Sequence, residues 1–168
     1  NEWPWGLMEF IRLAKIKNLP LVCTLQNSYS LINRIVELGM TEIFFREKLS
    51  FFSYSPLGFG HLSGKYLKDP RAAGRVNLFP GYAKRYNKSG VEKAIEKYDA
   101  LAAKRNLSLT DLALSFVYSQ WFVTSTVIGA TNMKQLKQNI AAYGLDIVDE
   151  ELIQEIDAIH LDVMNPAP

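Results

Sequence analysis

Residues 50–60 read SFFSYSPLGFG, and this stretch decides the fold. Its first part, Ser50 to Tyr54, is a short aromatic-rich run of the kind that strands favour. The run is followed by Pro56, Gly58 and Gly60, which are loop-forming residues. A short apolar strand that ends in a loop is typical of the parallel β/α units that helices cover.

The segments on either side alternate between helix and strand patterns. Upstream, the apolar residues of Pro4 to Lys17 have helical spacing and predict a helix, and Leu21 to Leu25 (LVCTL) predicts a buried strand. Downstream, Thr124 to Ile128 (TSTVI) predicts a third buried strand, and Asn132 to Tyr143 predicts a helix. This order predicts an α/β fold with a parallel sheet.

Helix-capping residues mark four further helices. A short helix is predicted at 42–48, after Thr41. Ser89 with Glu92, and Ser108 with Asp111, match the capping-box spacing at the start of two consecutive helices. Asp149 is predicted to cap the last helix.

Composition indicates one ordinary folded domain. The chain has 168 residues, of which 48% are hydrophobic and 21% charged, and its net charge of +2 does not by itself imply a nucleic-acid or membrane partner. No apolar run approaches the roughly 18 residues that cross a bilayer. The single cysteine, Cys23, lies in an apolar run, so we expect an inert core residue and a cytoplasmic protein.

Polar or aromatic residues lie at the end of each predicted strand, where parallel α/β folds gather functional groups. Gln26 offers an amide that could recognise another amide, and Tyr54 offers a flat ring for stacking. Each of these residues alone has a more common structural role, in loop hydrogen bonding or in packing.

The segment after the second strand, residues 55–88, is long for a loop in a compact domain. Gly58 and Gly60 would let the backbone approach a ligand, and Lys65 and Arg75 could neutralise phosphate. Between 65 and 88 seven basic residues face one acidic residue, which favours an anionic partner, although a solvated mobile loop has the same composition. Its other glycines and prolines are Gly64, Gly74, Gly81, Pro56, Pro70 and Pro80.

The third predicted strand leads directly into a helix. The free N–H groups at that helix start could bind phosphate, with Thr131 and Gln135 nearby, although capping by Thr131 alone is the competing interpretation. If the three strands are adjacent, amide recognition, stacking and phosphate binding converge on one face, as a dinucleotide requires. The chain has no G-x-G-x-x-G turn before a helix, so a Rossmann site is not supported.

Several segments together resemble the aldo-keto reductase superfamily, most closely its Tas-like bacterial branch. They are NEWPWGLM (1–8), LQNSYSLINR (25–34), YSPLGFGHLSGKY (54–66), STVIGATNMKQLKQNI (125–140) and the terminal NPAP (165–168). The resemblance covers essentially the whole chain. It implies a TIM (β/α)8 barrel, of which residues 1–168 would be the C-terminal portion, roughly strands 6 to 8 with their helices. The start at Asn1 without a methionine also suggests a piece of a longer protein.

The resemblance also implies NADPH as cofactor and carbonyl reduction as reaction. Asn1 and Gln26 would hold the nicotinamide carboxamide, and Tyr54 would stack beneath the nicotinamide ring. The other cofactor-binding candidates are Ser55, Leu57, Gly58, Gly60, Lys65 and Arg75 around the pyrophosphate, Thr131 and Gln135 toward the 2'-phosphate, Gln138 and Asn139 toward the adenine, and Pro56 and Gly129 without a particular contact. Position 135 lacks the usual arginine for a 2'-phosphate, so its affinity is expected to be modest.

The catalytic Asp, Tyr, Lys and His of the family are carried by earlier strand ends, so no residue of this chain is expected to be catalytic or to bind a metal. His61 is expected to be exposed in the glycine-rich loop, and His160 to lie on a helix surface. The acidic residues of the last helix are expected to be surface charges; they are Glu150, Glu151, Glu155 and Asp157.

The expected partners are NADPH, a small carbonyl substrate and the N-terminal half of the same barrel, with no nucleic acid and no membrane. Two alternatives stay open. One is a nucleotide-sensing subunit with little turnover, because some relatives of this barrel regulate ion channels. The other is an inactive truncated remnant, whose open strand edges would favour aggregation.

Overall fold

The sheet of this protein has three parallel strands, seen in a computed structural model that describes residues 1–79, 81 and 83–168. The strands are β1 (Thr24–Ser28), β2 (Ser50–Tyr54) and β3 (Val123–Val127), and they lie side by side in that order. This arrangement confirms the predicted α/β fold with a parallel sheet. Pro80, one of the predicted loop residues, lies outside the described residues, as does Tyr82.

Helices connect the strands and cover one face of the sheet. Those within the described residues are α1 (Pro4–Lys17), α2 (Met40–Glu47), α3 (Lys65–Lys68), α4 (Arg75–Leu78), α5 (Ser89–Lys104), α6 (Leu109–Tyr118), α7 (Met133–Ala141) and α8 (Glu150–Asp162). Short 3-10 turns occur at 35–37, 58–63, 84–86 and 142–144. The segment 55–88, predicted as a loop, therefore contains several short helical turns.

The first helix has the predicted bounds. Leu7, Ile11 and Ala14 form its buried stripe at helical spacing, and Pro4 occupies the first helical position, where its missing N–H costs nothing. The helix ends at Asn18, which adopts a left-handed conformation with φ of 50°.

The first strand begins three residues later than its apolar run predicts. Pairing with β2 runs from Thr24 opposite Ser50 to Ser28 opposite Tyr54, and Leu21 before it is 60% exposed. The bounds predicted from the run LVCTL were wrong, because hydrogen bonding to the neighbouring strand, and not hydrophobicity alone, sets the bounds of a parallel strand. Cys23 is consequently exposed and does not belong to the core, contrary to the prediction.

The third strand begins one residue earlier than predicted and is not fully buried. In the described chain β3 pairs only with β2, and each of its residues is half-buried or exposed. The register shifts between Phe51 and Phe52, and the hydroxyl of Thr124 accepts a hydrogen bond from the Phe51 N–H at 3.2 Å.

One face of the sheet packs against the helices. Phe51 is fully buried there, and its ring stacks on Phe44 of α2 with the centroids 5.0 Å apart. Tyr29, just after β1, stacks on Phe116 of α6 at 5.9 Å. Aromatic pairs of this kind add about 0.5–1.5 kcal/mol each to the burial of their surface.

Two of the four predicted side-chain caps are present. Thr41 is not a cap, because α2 begins at Met40 and Gly39 precedes it. The Ser108 hydroxyl accepts from the Asp111 N–H at 3.1 Å, and the Asp149 carboxylate accepts from the Leu152 N–H at 2.7 Å. Ser89 is not a cap, because α5 already includes it as its first residue and the preceding Lys88 makes no side-chain cap.

None of the described helices is both long enough and apolar enough to cross a membrane.

Candidate cofactor and ligand site

The register of the sheet places the predicted strand-end residues on one face. Gln26 lies opposite Phe52, and Tyr54 lies opposite both Ser28 and Val127. Because paired residues of parallel strands point to the same side, these side chains share the face that the helices do not cover. Gln26 is exposed on this face and Tyr54 is half-buried. Two of the three residues predicted to contact a nicotinamide are therefore brought to the same side of neighbouring strands.

A cavity of about 480 Å³ opens at the carboxyl ends of β1 and β2. Two predicted residues, Asn1 and Tyr54, line it. It is also lined by Asn27, Ser28 and Asn33, none of which the sequence singled out. The alternation of strand residues would have revealed Ser28, two positions after Gln26, if the strand had been predicted to extend that far.

The loop after β2 has an unusual backbone. Ser55, Gly58, Phe59 and Gly60 all have positive φ, with values of 55°, 52°, 55° and 91°. A Cβ at Gly58 would meet Ile32 Cδ1 at 3.0 Å, a tight contact, and the positive φ there also favours glycine. Among the other predicted contacts in this loop, Pro56 is buried and Leu57 is half-buried against the core.

Lys65 and Gly74 lie against each other in the basic segment. The Lys65 ammonium donates to the Ala73 carbonyl at 3.1 Å and lies 4.7 Å from the centre of the Tyr66 ring. A Cβ on Gly74 would overlap the Lys65 ammonium and the Tyr66 hydroxyl. Arg75 follows at once, with its guanidinium 5.3 Å from the Phe59 ring centre. Two cations that the sequence proposed for phosphate therefore lie at the same loop.

His61 is half-buried, which corrects the prediction of an exposed residue. Its ring lies between Tyr66 and Tyr86, with centroids 5.0 and 5.4 Å away. Within the described chain its Nε2 is buried without a hydrogen-bond partner, and so is the Tyr66 hydroxyl. Burial, followed by the charge of Lys65, lowers the pKa of His61 to about 4, so the imidazole is neutral at pH 7.

The third strand end forms a capped helix start. The Asn132 side chain accepts from the Gln135 N–H at 3.0 Å, while the Thr131 N–H and hydroxyl donate to the Gln135 side-chain oxygen at 2.8 and 3.0 Å. The cap of α7 is therefore Asn132, and Thr131 and Gln135 bind each other. Gly129 has open space where a Cβ would stand, and its carbonyl faces the same helix.

The two amides predicted near an adenine are both bonded to protein groups. Gln138 donates to the Ser108 hydroxyl at 3.1 Å and to the Asp111 carboxylate at 3.2 Å. Asn139 is 3% exposed and donates to the Gly129 carbonyl at 3.1 Å. These contacts tie α7 to α6 and to the end of β3, and contact with adenine stays a prediction.

A charged network braces the segment after β1. The Arg34 guanidinium binds Glu37 through two hydrogen bonds of 2.8 and 2.9 Å and Asp157 of α8 at 2.6 Å. The Tyr29 hydroxyl donates to Glu37 at 2.5 Å, and burial together with the Glu37 charge raises the pKa of Tyr29. Asp157 is therefore part of a network and not a solitary surface charge.

The remaining acidic and histidine residues of α8 have structural contacts. Glu155 pairs with Lys104 and with Arg105, and Glu151 pairs with Arg105 at 3.0 Å. His160, predicted on the helix surface, is half-buried, and its Nδ1 is buried without a partner among the described residues. No three His, Cys, Asp or Glu residues of the described chain are grouped as metal ligands would be.

Comparison with known proteins identifies the family of this chain. The model of the Aldo/keto reductase family matches residues 2–160, so the chain belongs to that family. Protein tas of Escherichia coli K12 is 40% identical over 168 residues, which are all of this chain and 48% of that protein.

Two more distant relatives have names that suggest different functions. An L-glyceraldehyde 3-phosphate reductase of Escherichia coli O157:H7 is 30% identical over 90% of this chain and 45% of its own length. A probable voltage-gated potassium channel subunit beta of rice (Oryza sativa subsp. japonica) is 26% identical over 92% of this chain and 51% of its own length. The chain spans about half the length of the curated relatives it matches.

Proposed function

We propose that the whole protein reduces aldehydes or ketones to alcohols with NADPH, and that residues 1–168 supply the cofactor-binding side of its site. In this proposal β1, β2 and β3 are strands 6, 7 and 8 of a (β/α)8 barrel. The observation that carries the proposal is the register of the sheet, which places Gln26 and Tyr54 on one face, with the start of α7 following the end of β3.

The residues at the carboxyl ends of the strands have the chemistry that binding of NADPH requires. The exposed Gln26 amide can pair with a carboxamide, and the half-buried Tyr54 ring can stack on a planar group. Lys65 and Arg75 supply positive charge at this loop, and the lack of a side chain at Gly74 makes room for the Lys65 ammonium beside the Tyr66 hydroxyl. Asn1, which lines the cavity beside Tyr54, supports the same assignment.

The chain's own residues would bind and orient the cofactor. NADPH supplies the hydride of the reduction. Gln26 would fix the rotation of the nicotinamide about its ring axis, and Tyr54 would cover one ring face, which leaves the other face for the substrate. The proton donor would lie on a part of the protein outside these residues.

The full-length protein tests the proposal directly. We expect NADPH absorbance at 340 nm to fall when small aldehydes are added, and NADPH to bind more tightly than NADH in a fluorescence titration. Equal affinities for the two cofactors would contradict the proposed contacts of Thr131 and Gln135 with the 2'-phosphate. Absence of NADPH oxidation with a broad carbonyl panel would remove the reductase assignment.

Gly74→Ala tests the cationic loop. The added methyl group would displace the Lys65 ammonium and the Tyr66 hydroxyl, so we expect the Kd for NADPH to rise about 3- to 10-fold. Backbone strain is not expected, because Gly74 has an extended φ of 170°. Gly144→Ala is the matched control, since a Cβ there meets no atom within 4 Å.

A second candidate function is a nucleotide-sensing subunit with little turnover. The similarity to a relative named as a potassium channel subunit beta favours keeping it. Tight NADPH binding without carbonyl reduction by the full-length protein would support this function. An intact catalytic tyrosine and lysine elsewhere in the full sequence would favour the enzyme.

A further inference from the structure

Ser28 lies at the carboxyl end of β1, directly opposite Tyr54, and lines the cavity there. Its hydroxyl oxygen accepts a hydrogen bond from the Asn33 side-chain amide at 2.7 Å. A serine hydroxyl has one donor and two acceptor positions, so this bond leaves the Ser28 O–H free to donate. Within the described residues the Ser28 hydroxyl has no acceptor, and the cavity is the space beside it.

The amide of Asn33 is held in one orientation. Asn33 is 3% exposed, and its backbone N–H and carbonyl both pair with Ser30 at 3.0 Å. Its side-chain oxygen accepts from the Ile35 N–H at 3.4 Å, so the NH2 group is the one that faces Ser28. The donor and acceptor roles of this pair are therefore fixed by the backbone around it.

The segment that carries Asn33 is held by hydrogen bonds to residues 165 and 167. The Arg34 N–H donates to the Asn165 side chain at 2.6 Å, and the Ala167 N–H donates to the Ile32 carbonyl at 3.1 Å. The Arg34 side chain is also held by Glu37 and Asp157. A pair built on such a support loses little freedom when a ligand binds, which favours affinity.

We propose that Ser28 is a ligand-binding residue that donates a hydrogen bond to a carbonyl oxygen held beside Tyr54, and that Asn33 is the positioning residue that directs it. The inference rests on the proposed function. The carbonyl oxygen belongs either to the nicotinamide carboxamide or to the substrate. The hydrogen bond that the Ser28 oxygen accepts from the Asn33 amide makes the Ser28 O–H a stronger donor toward either oxygen.

Four variants of the full-length protein test the inference. Ser28→Ala removes the donor, and we expect a 3- to 10-fold loss in affinity or in kcat/KM, as one neutral hydrogen bond predicts. Ser28→Thr keeps a hydroxyl and should restore most of this loss. Asn33→Asp replaces the donating amide by a carboxylate that accepts the Ser28 proton, so it should match Ser28→Ala. Thr24→Val is the control, since it removes a hydroxyl on the same face at the other end of β1.

Two measurements separate the sources of the carbonyl oxygen. A higher Kd for NADPH with an unchanged KM for the carbonyl compound assigns the contact to the carboxamide, and the reverse pattern assigns it to the substrate. If the wild-type enzyme is active and Ser28→Ala has the same affinity and kcat/KM as the control Thr24→Val, the inference about Ser28 is overturned while the proposed function stands. Wild-type activity at Asn33→Asp, with its melting temperature unchanged, overturns the positioning role. A wild-type protein that neither binds nor oxidises NADPH overturns the proposed function as well.

Discussion

The side chain of Arg34 contacts Glu37, Asp157 and the ring of Phe116, and its backbone N–H donates to Asn165. Its side chain is 11% exposed, so its loss would leave Glu37 and Asp157 with unpaired charges in a partly desolvated place. We expect Arg34→Met to lower the free energy of unfolding by about 2–4 kcal/mol, less than for a fully buried pair because Asp157 is partly exposed. Urea denaturation of the full-length protein measures this change.

Arg46 provides the matched control. It pairs with Glu42 on the surface of α2, and both side chains are more than 60% exposed, at 71% and 65%. Pairs of this kind contribute less than about 0.5 kcal/mol, so Arg46→Met should leave the unfolding free energy nearly unchanged. Equal losses in the two variants would contradict the structural role assigned to Arg34.

His61 predicts a pH dependence of stability. Its pKa is about 4 in the folded protein against 6.5 ordinarily, so the unfolded chain binds a proton that the folded protein excludes between these values. We therefore expect stability to fall as pH decreases from about 6.5 to about 4. An NMR titration of the His61 ring protons should give a midpoint well below that of an exposed histidine.

His61→Phe isolates this effect, because a phenyl ring can stay between Tyr66 and Tyr86 without titrating. The loss of stability between pH 7 and pH 5 should be smaller in the variant than in the wild type. An identical pH dependence in both proteins would show that other groups are responsible.

The sequence predicted part of the candidate site at the residue level. Gln26 and Tyr54 could be found because functional groups gather where parallel strands end. Ser28 and Asn33 could not, because their roles depend on where β1 pairs with β2 and on a hydrogen bond across the turn at 29–32. The burial of His61 depends on Tyr86, which lies 25 positions away in the sequence.

At the level of helices, Ser108 and Ser89 form a test of capping. Ser108 accepts the Asp111 N–H and also binds Gln138 of α7, so Ser108→Ala should cost about 1–2 kcal/mol of unfolding free energy. Ser89 is exposed and makes no cap, so Ser89→Ala should change stability by less than about 0.5 kcal/mol. Thermal unfolding of both variants measures the difference, and equal costs would contradict it.

The strands show which of their bounds can be predicted from the sequence and which cannot. The bounds of β2 were predicted correctly, because its apolar run is followed at once by turn-forming residues. The bounds of β1 were wrong, since apolar residues before Thr24 extend past the part that pairs with β2. Cys23 was misplaced for the same reason. Local patterns predicted that the elements exist, whereas partner strands determined where they begin.

At the level of the whole molecule, the described chain exposes surfaces that a closed barrel would cover. Its strands β1 and β3 each pair on one side only, and Phe10 and Ile16 of α1 are 57% and 67% exposed. We expect residues 1–168 expressed alone to bind a hydrophobic dye and to associate with rising concentration, because open edges and apolar patches favour association. Size-exclusion chromatography with light scattering measures this.

The full-length protein is the comparison for that experiment, and it should be less prone to associate. Phe10→Glu in the short chain should reduce dye binding without altering the buried stripe of α1. A stable monomer of residues 1–168 with little dye binding would contradict the expectation. It would then favour a chain that is folded and sufficient by itself.

The bonds of Arg34 to Asp157 and Asn165 span 123 and 131 residues. During translation, at about 5–20 residues per second, these partners leave the ribosome on the order of 10 s after Arg34 does. The turn that orients Asn33 therefore lacks these two contacts until Asp157 and Asn165 have been synthesised. Ligand binding at the end of β1 should consequently be acquired only after Asp157 and Asn165 have emerged, even though β1 itself emerges earlier.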